Sequence, residues 1–407
     1  MNGIGKYFSL IVLAVLIRLL LMPFLFHPDI KTQYFHANFL NKGVLNIYQH
    51  IEDNKKTLSY TDTFNYPPLI YFLQGSWTIL ANPILEPQLS VWLSDWGNDW
   101  FTNNQIFRLL FVLKLPYLIL DILIGVVLIS LVQERLRRLS LILWFFNPIT
   151  IYIIYGLSNF DIIPVLFSLL SLLFFNKQKY FTCGIFLGLG IATKLFPIIY
   201  LPFFIMVFIR DKNNKKAIRM LMGVAISVGV LILPLLPSFI NILRNDTSNK
   251  ASFIEISILG FSIPIFYILY IVTLILSFYS VSHKRVSFYI LVSSLLLLAT
   301  AKIHPQWFIW ALPFLVLFLV EDLKLLVHLV PLIIGYALLI LAFNDRFLTL
   351  GILSPVFPQI YDVGFLEESI FNKFDQKTIL ILGQGIFLLG TLNLILNLYK
   401  VVFNERK

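Results

Sequence analysis

Apolar runs of helix-forming length follow one another along most of this chain, separated by short polar loops. A hydrocarbon core about 30 Å thick takes roughly 20 apolar residues in a helix. Backbone polar groups find no water there, so helices are the expected spanning elements. Candidate spans fall at 7–26, 107–132, 139–156, 160–176, 181–193, 195–210, 216–237, 262–280, 287–301, 305–320, 325–342 and 379–401. Hydrophobic residues make up 58% of the 407, and charged ones only 13%. A soluble globule of this size has nowhere to bury such a surplus, and a disordered chain would not carry it. The sequence therefore predicts an all-α, polytopic membrane helix bundle of about 11–13 spans, read as a single domain over 1–407. The lone Cys183 excludes an intramolecular disulfide framework and a Cys-based zinc site.

Basic residues set the orientation. With both termini cytoplasmic, Lys6, the loops 133–138, 176–180, 210–219, 282–285 and 321–324, and the C-terminal tail lie inside, where most of the Lys and Arg collect. The net charge of +10 thus reflects topology. It is scattered over short loops and forms no stripe for nucleic acid. The first segment carries Arg18 and lacks a small-x-small cleavage site, so it reads as a retained span and not a signal peptide. The protein is expected to be multi-pass, in the plasma (inner) membrane if the source is bacterial. Residues 181–209 would make a straight helix of about 43 Å, too long for one crossing. A break is predicted at Thr193-Lys194-Leu195-Phe196-Pro197, with Lys194 at the tip, either at the outer surface or deep in the bundle. The long outer loop 27–106 includes an apolar stretch, 67–81, too short to cross. Trp92, Trp96 and Trp100 recur every fourth residue, so they are expected on one face of a helix lying in the headgroup layer. Further outer loops cover 238–261 and 343–378.

Asp29 follows the first span in Phe26-His27-Pro28-Asp29. A carboxylate there stands where a lipid headgroup meets water, and it can serve as general base toward a hydroxyl. The bland alternative is an exposed loop acid. Tyr34, Phe35, Asn38, Tyr48, Asn65 and Tyr66 follow, types that stack on and hydrogen-bond sugars or anchor a loop to the interface. Arg108, Lys194, Lys302 and His304 sit near predicted outer span ends. Buried cations mark functional sites by default, and a lipid phosphate is the obvious partner; snorkelling is the alternative, favoured for Arg108. Lys114 and Asp121 project to a similar face of one span, as polar ties within the bundle. Asp161 heads another span, as a tie or a substrate contact. There is no Walker loop, dinucleotide turn or His-x-x-x-His pair.

The order of an outer Asp29, Tyr66-Pro67-Pro68-Leu69, Leu120-Asp121, Asn147-Pro148, Gly156 with Asp161, Gly188 to Lys194 ahead of Pro197 and Pro202, and Lys302-Ile303-His304-Pro305-Gln306-Trp307 with Trp310 resembles the GT-C superfamily of integral-membrane glycosyltransferases. Within it the chain is similar to the GPI mannosyltransferase catalytic subunit and to bacterial polyprenyl-phosphate-sugar transferases, over roughly residues 5–320. The resemblance implies an inverting transfer of a mannose-like hexose from a polyprenyl-phosphate donor to an acceptor hydroxyl on the extracytoplasmic face. The acceptor would be a glycan, a lipid or a protein. Asp29 matches the catalytic acid, Lys194 the lysine before a proline, and Lys302 and His304 the late motif. These three basic groups would hold the donor phosphate; Tyr34, Tyr66, Asp161 and Arg108 would touch substrate. The eukaryotic relative has Asp-x-Asp where this chain reads Asp29-Ile30-Lys31, so no cofactor is expected and a divalent metal lacks support. A transporter or lipid-linked-glycan flippase is the alternative, weakened by the lack of inverted repeats.

Overall fold

The computed structural model describes residues 5–60, 64–97, 99–245, 254–258, 261–302, 304–343, 345–361 and 375–403. Parts of the second and third outer loops, 246–253 and 362–374, lie outside the described residues, as does Ile303. A helix stands at every predicted span, and their lengths divide them into two groups. Four are long and apolar enough to cross a membrane: Gln105–Leu131, Asn214–Arg244, Leu325–Ala342 and Gln376–Phe403. Glu134–Phe145 and Pro148–Leu157 pass the same test together but are bent by 50°, the geometry of a broken span or of a re-entrant loop. The bend has a local cause: Asn147 takes the Ile149 N–H on its side chain, and Pro148 opens the second piece.

The other apolar helices have 10–17 residues: Leu69–Leu85, Ile162–Asn176, Tyr180–Thr193, Phe196–Arg210, Ile265–Ser280 and Val286–Thr300. Short, broken helices are tolerated at membrane depth where neighbouring protein covers the loose backbone ends. The predicted break after Thr193 is present, with Lys194 extended (φ −156°, ψ 140°) and a 3₁₀ turn over Phe196–Tyr200. The 305–320 segment likewise starts as a 3₁₀ turn, Pro305–Trp310, before the Leu312–Leu319 helix. One departure from the all-α expectation is a small antiparallel ladder, Glu255–Ile258 with Phe261–Pro264, ahead of the helix expected from 262.

The tryptophan stripe does not form. The helix Gln88–Ser94 ends before Trp96, because Asp95 turns out of it and its carboxylate accepts from Gly97 N (2.9 Å) and Trp100 Nε1 (2.7 Å). Trp92 and Trp100 are buried in protein, and Trp96 stacks on Tyr60 at 4.3 Å between centroids. The aromatic surface therefore faces the loop's own core instead of lipid.

A buried ion pair and a buried lysine held by backbone carbonyls tie the bundle together. Arg18 Nε donates to Asp121 Oδ2 at 2.6 Å with both side chains fully buried; Tyr155 Oη (2.9 Å) and Trp144 Nε1 (2.7 Å) also donate to that carboxylate. Lys114, seven residues back on the same helix, donates to the carbonyls of Met22 (3.0 Å), Leu25 and Tyr155 (2.9 Å). It thereby ties the end of the first helix, just ahead of Asp29, to the turn just ahead of Asn159.

Candidate active site

The site grows from two chain turns. At the first, His27 caps the Pro28–Ala37 helix and Pro28 occupies its first position, where a missing N–H costs nothing. Asp29 falls in the first turn, where the helix dipole favours an anion. At the second, a π-helical turn over Tyr152–Leu157 runs into Ser158, held at φ +53° and fully buried. Left-handed backbone at a non-glycine is strained and persists only when its surroundings fix it. Here the Ser158 hydroxyl donates to the Tyr155 carbonyl at 3.0 Å. The turn presents Asn159 and Asp161 on one side.

Asn159 Nδ2 donates to Asp29 Oδ2 at 2.8 Å, and Asn159 Oδ1 accepts from the Asp161 backbone N–H at 3.2 Å. Lys194 Nζ donates to Asp161 Oδ1 at 2.6 Å. Asp29 and Lys194 are thus joined through two intermediate residues. The Lys194 side chain is 13% exposed, that of Asp161 is fully buried, and that of Asp29 is 32% exposed and reaches solvent. Four rings surround the Lys194 ammonium at 5.2–5.7 Å: Tyr66, Phe160, Trp307 and Trp310. The ring quadrupoles attract an ammonium and help hold it in place.

His27 links Asp29 to a third segment. Its Nδ1 lies 3.4 Å from Asp29 Oδ1, and its Nε2 3.7 Å from Asp345 Oδ2. Burial alone would push this imidazole down, but the two carboxylates raise it to about 9. Nδ1 is also 3.2 Å from the Asp29 amide nitrogen. A ring that accepts the Asp29 N–H at Nδ1 is neutral; protonation exchanges that cap for an N–H donated to the Asp29 carboxylate, and the two flanking carboxylates favour the protonated form at neutral pH. Burial pushes the Asp29 carboxyl up, while the His27 charge and hydrogen bond, Asn159 and His304 together hold it below the usual carboxylate value. Asp29 is therefore ionised.

The remaining predicted residues divide. Tyr66 lines the cluster, edge-on to Phe160 at 4.7 Å. His304 is near enough to feel Asp29, Lys194 and Lys302, but burial and the two lysines push it down to about 4. That shift favours the neutral imidazole over the cation the sequence suggested. Lys302 is exposed beside it. Tyr34 is fully buried, and its hydroxyl donates to the Leu113 carbonyl at 2.7 Å, which ties the loop to the bundle. Arg108 is exposed and donates to Gln88 at 2.9 Å; no contact with Asp29 or Lys194 is found for it among the described residues. Lys31 stands where the eukaryotic pattern has its second acid. Its ammonium donates to the Asp95 carbonyl between Trp92 and Trp96, so this position supplies no metal ligand. Among the described residues no group of three or more His, Cys, Asp or Glu side chains is arranged for a metal ion. Sequence reasoning missed His27, Asn159 and Asp345; the polar pair His27 and Asn159 within apolar surroundings was the only available signal.

Residues 154–244, which contain Asn159, Asp161 and Lys194, match the family model described as Mannosyltransferase (PIG-M). The chain is similar to GPI mannosyltransferase 1 of Saccharomyces cerevisiae, 24% identical over 215 residues, covering 52% of this chain and 46% of that one. It is also similar to GPI mannosyltransferase 1 of Kluyveromyces lactis, 28% identical over 175 residues, covering 42% and 37%. The chain spans less than half the length of these curated relatives. Together the matches bear out the resemblance read from the sequence: the chain is similar to the GT-C integral-membrane glycosyltransferases, through a match to the PIG-M mannosyltransferase family over residues 154–244 and to two GPI mannosyltransferases.

Proposed function

We propose that the protein transfers mannose from a polyprenyl-phosphate-linked donor, of which a dolichyl phosphate is one form, to an acceptor hydroxyl on the extracytoplasmic face. One observation carries the reading: a solvent-reaching carboxylate, Asp29, and a buried ammonium, Lys194, belong to a single hydrogen-bonded cluster. In the proposed step the acceptor oxygen attacks the anomeric carbon from the face opposite the phosphate. The new C–O bond forms as the bond from that carbon to the phosphate oxygen breaks, which inverts the anomeric centre. The acceptor proton passes to Asp29, and the prenyl phosphate leaves as a monoester. Negative charge grows on that phosphate, and cations fixed beforehand stabilise the change. Lys194, positioned by Asp161 and its four rings, is one such cation, and Lys302 is a second. His304 donates an N–H and adds no charge. Tyr66 bounds the sugar side. The loop 27–106 is the catalytic loop, and the protonated His27 keeps Asp29 ionised and aimed.

The test supplies the purified full chain with polyprenyl-phosphate-[13C]mannose and a glycolipid extract, read by mass spectrometry and by the anomeric configuration of the product. A labelled, inverted mannoside is the expected result. Transfer from a nucleotide-linked mannose with none from the lipid-linked donor would overturn the donor assignment, and retained configuration would overturn the single displacement.

A further inference from the structure

The helices Ile162–Asn176 and Tyr180–Thr193 carry Asp161 and Lys194 at one end. Their opposite ends, about 21 Å away at 1.5 Å per residue, meet in the turn between Asn176 and Tyr180. A cavity of about 300 Å³ opens there, lined by Asn176, Gln178, Tyr180, Lys216, His283 and Lys284. A second cavity, of about 570 Å³, shares Asn176, His283 and Lys284 with it. The first is a polar cup with two lysines and no carboxylate in its lining. The second adds Arg285 and continues as a mixed trough, with Leu172, Leu317, Phe318, Val401 and Phe403 along one stretch and Gln133, Ser282, Ser287 and Glu321, its one carboxylate, in the rest of the lining.

Tyr180 gives the cup a direction. Its side chain is 5% exposed, it lines the cavity, and its hydroxyl has no hydrogen-bond partner among the described residues. A buried hydroxyl left unpaired is costly, so such a group marks a place where a partner belongs. The Lys216 ammonium lies 5.3 Å from the Tyr180 ring centre, on the same wall. Arg285 is fixed over Phe403 at 4.2 Å, and His283 is stacked on Phe175 at 4.6 Å. Asp211 Oδ2 lies 3.7 Å from His283 Nε2 and occupies that imidazole, which leaves the two lysines and the Tyr180 hydroxyl as the donors of a small cup. The cup opens into the larger trough and its apolar stretch, on the end of the bundle opposite Asp29.

We propose that the cup binds the phosphate of an anionic phospholipid, with Lys216, Lys284 and the Tyr180 hydroxyl on the phosphate oxygens and an acyl chain along the trough. Cationic surfaces beside membranes attract anionic lipid, but a scattered charge binds it without a pocket. The orphaned hydroxyl and the adjoining trough distinguish a built site from that general attraction. This inference does not depend on the proposed transfer reaction.

Native mass spectrometry of the full chain in detergent, titrated with phosphatidylglycerol or phosphatidylcholine, tests it. The wild type is expected to retain phosphatidylglycerol preferentially. The pair Lys216→Ala with Lys284→Ala should weaken that binding roughly 30-fold, as two lost cations at about 1 kcal/mol each imply. Tyr180→Phe, which removes a single oxygen, should weaken it several-fold with lipid-free thermal stability preserved. Equal retention of the two lipids, or wild-type binding in Tyr180→Phe, would overturn the proposal. Millimolar inorganic phosphate alone is expected to leave the bound lipid in place; displacement by it would reassign the cup to a free phosphate and overturn the lipid assignment.

Discussion

Asp29 carries the sharpest prediction at the scale of single residues. General-base action contributes typically 10²–10⁴-fold in rate, so Asp29→Asn should lower turnover by at least ~100-fold. The amide keeps an acceptor for Asn159, and the fold should survive. Single-turnover rates with the lipid-linked donor decide it; near-normal turnover would remove Asp29 from the base role. His27 makes a separate pH prediction. Its pKa in the folded protein, about 9, lies above the ordinary 6.5. Its contribution to stability is therefore full below pH 6.5 and is lost as pH rises through about 9. Asp29 is shifted the other way, below 3.8, so its contribution is present above pH 3.8 and is lost only as pH falls through the lower folded value. His27→Asn retains a helix cap while removing the charge. The thermal midpoint of the wild type should exceed that of this variant near pH 6, and the gap should close by pH 10. A gap independent of pH would show that the imidazole acts only as a cap.

Among the elements, Tyr180–Thr193 governs where Lys194 stands, and its packing rests on two glycines. A Cβ at Gly184 would lie 2.0 Å from the Met220 carbonyl oxygen, and one at Gly223 would lie 2.3 Å from that of Phe181. The obstacle in each case is backbone, which cannot swing aside. Gly184→Ala should therefore force the two helices apart at a cost of about 1–3 kcal/mol, and should also raise the donor KM by displacing Lys194. Denaturation in detergent and donor titration together check this; an unchanged midpoint would mean that the helices re-pack without strain. These elements were legible in outline. Apolar runs marked a helix at each candidate span but not the polar loop helices Pro28–Ala37 and Ile47–Asn54, and Pro197 marked the break after Lys194. Helix lengths were not legible, because caps and contacts end a helix as often as composition does. The tryptophan spacing misled for this reason: Asp95 stops the helix by accepting from Gly97 and Trp100, a local competition invisible to a count of every fourth residue. In the site, Asp29, Lys194 and Asp161 were each legible as polar groups in apolar surroundings. Their pairings were not, because Asn159 reaches Asp29 across 130 residues of sequence. The neutrality of His304 was hidden for the same kind of reason, since it depends on burial and on lysines brought near by the fold.

For the whole molecule, one ionic spine and one asymmetry of charge define two ends. Arg18–Asp121 and Lys114 lock the first helix to Gln105–Leu131 and to the Tyr155 turn, and so fix the end that bears Asp29, Asp161 and Lys194. The loops 133–138, 176–180, 210–219 and 282–285 are joined to the other ends of the same helices and hold much of the positive charge. Basic loops stay on the cytoplasmic side during insertion, so the Asp29 end should face away from it. The proposed donor demands the same orientation if the sugar is transferred outside. Cys183 is buried and should remain silent toward thiol reagents, which leaves the native chain as a background for added cysteines. Lys56 lies exposed in the long first loop, and Lys215 lies exposed in the basic 210–219 loop. In intact cells a membrane-impermeant maleimide should label Lys56→Cys, whereas Lys215→Cys should react only after permeabilisation. Labelling of Lys215→Cys in intact cells would place the basic loops outside. The Asp29 cluster would then face the cytoplasm, where a lipid-linked donor presented on the opposite leaflet is out of reach.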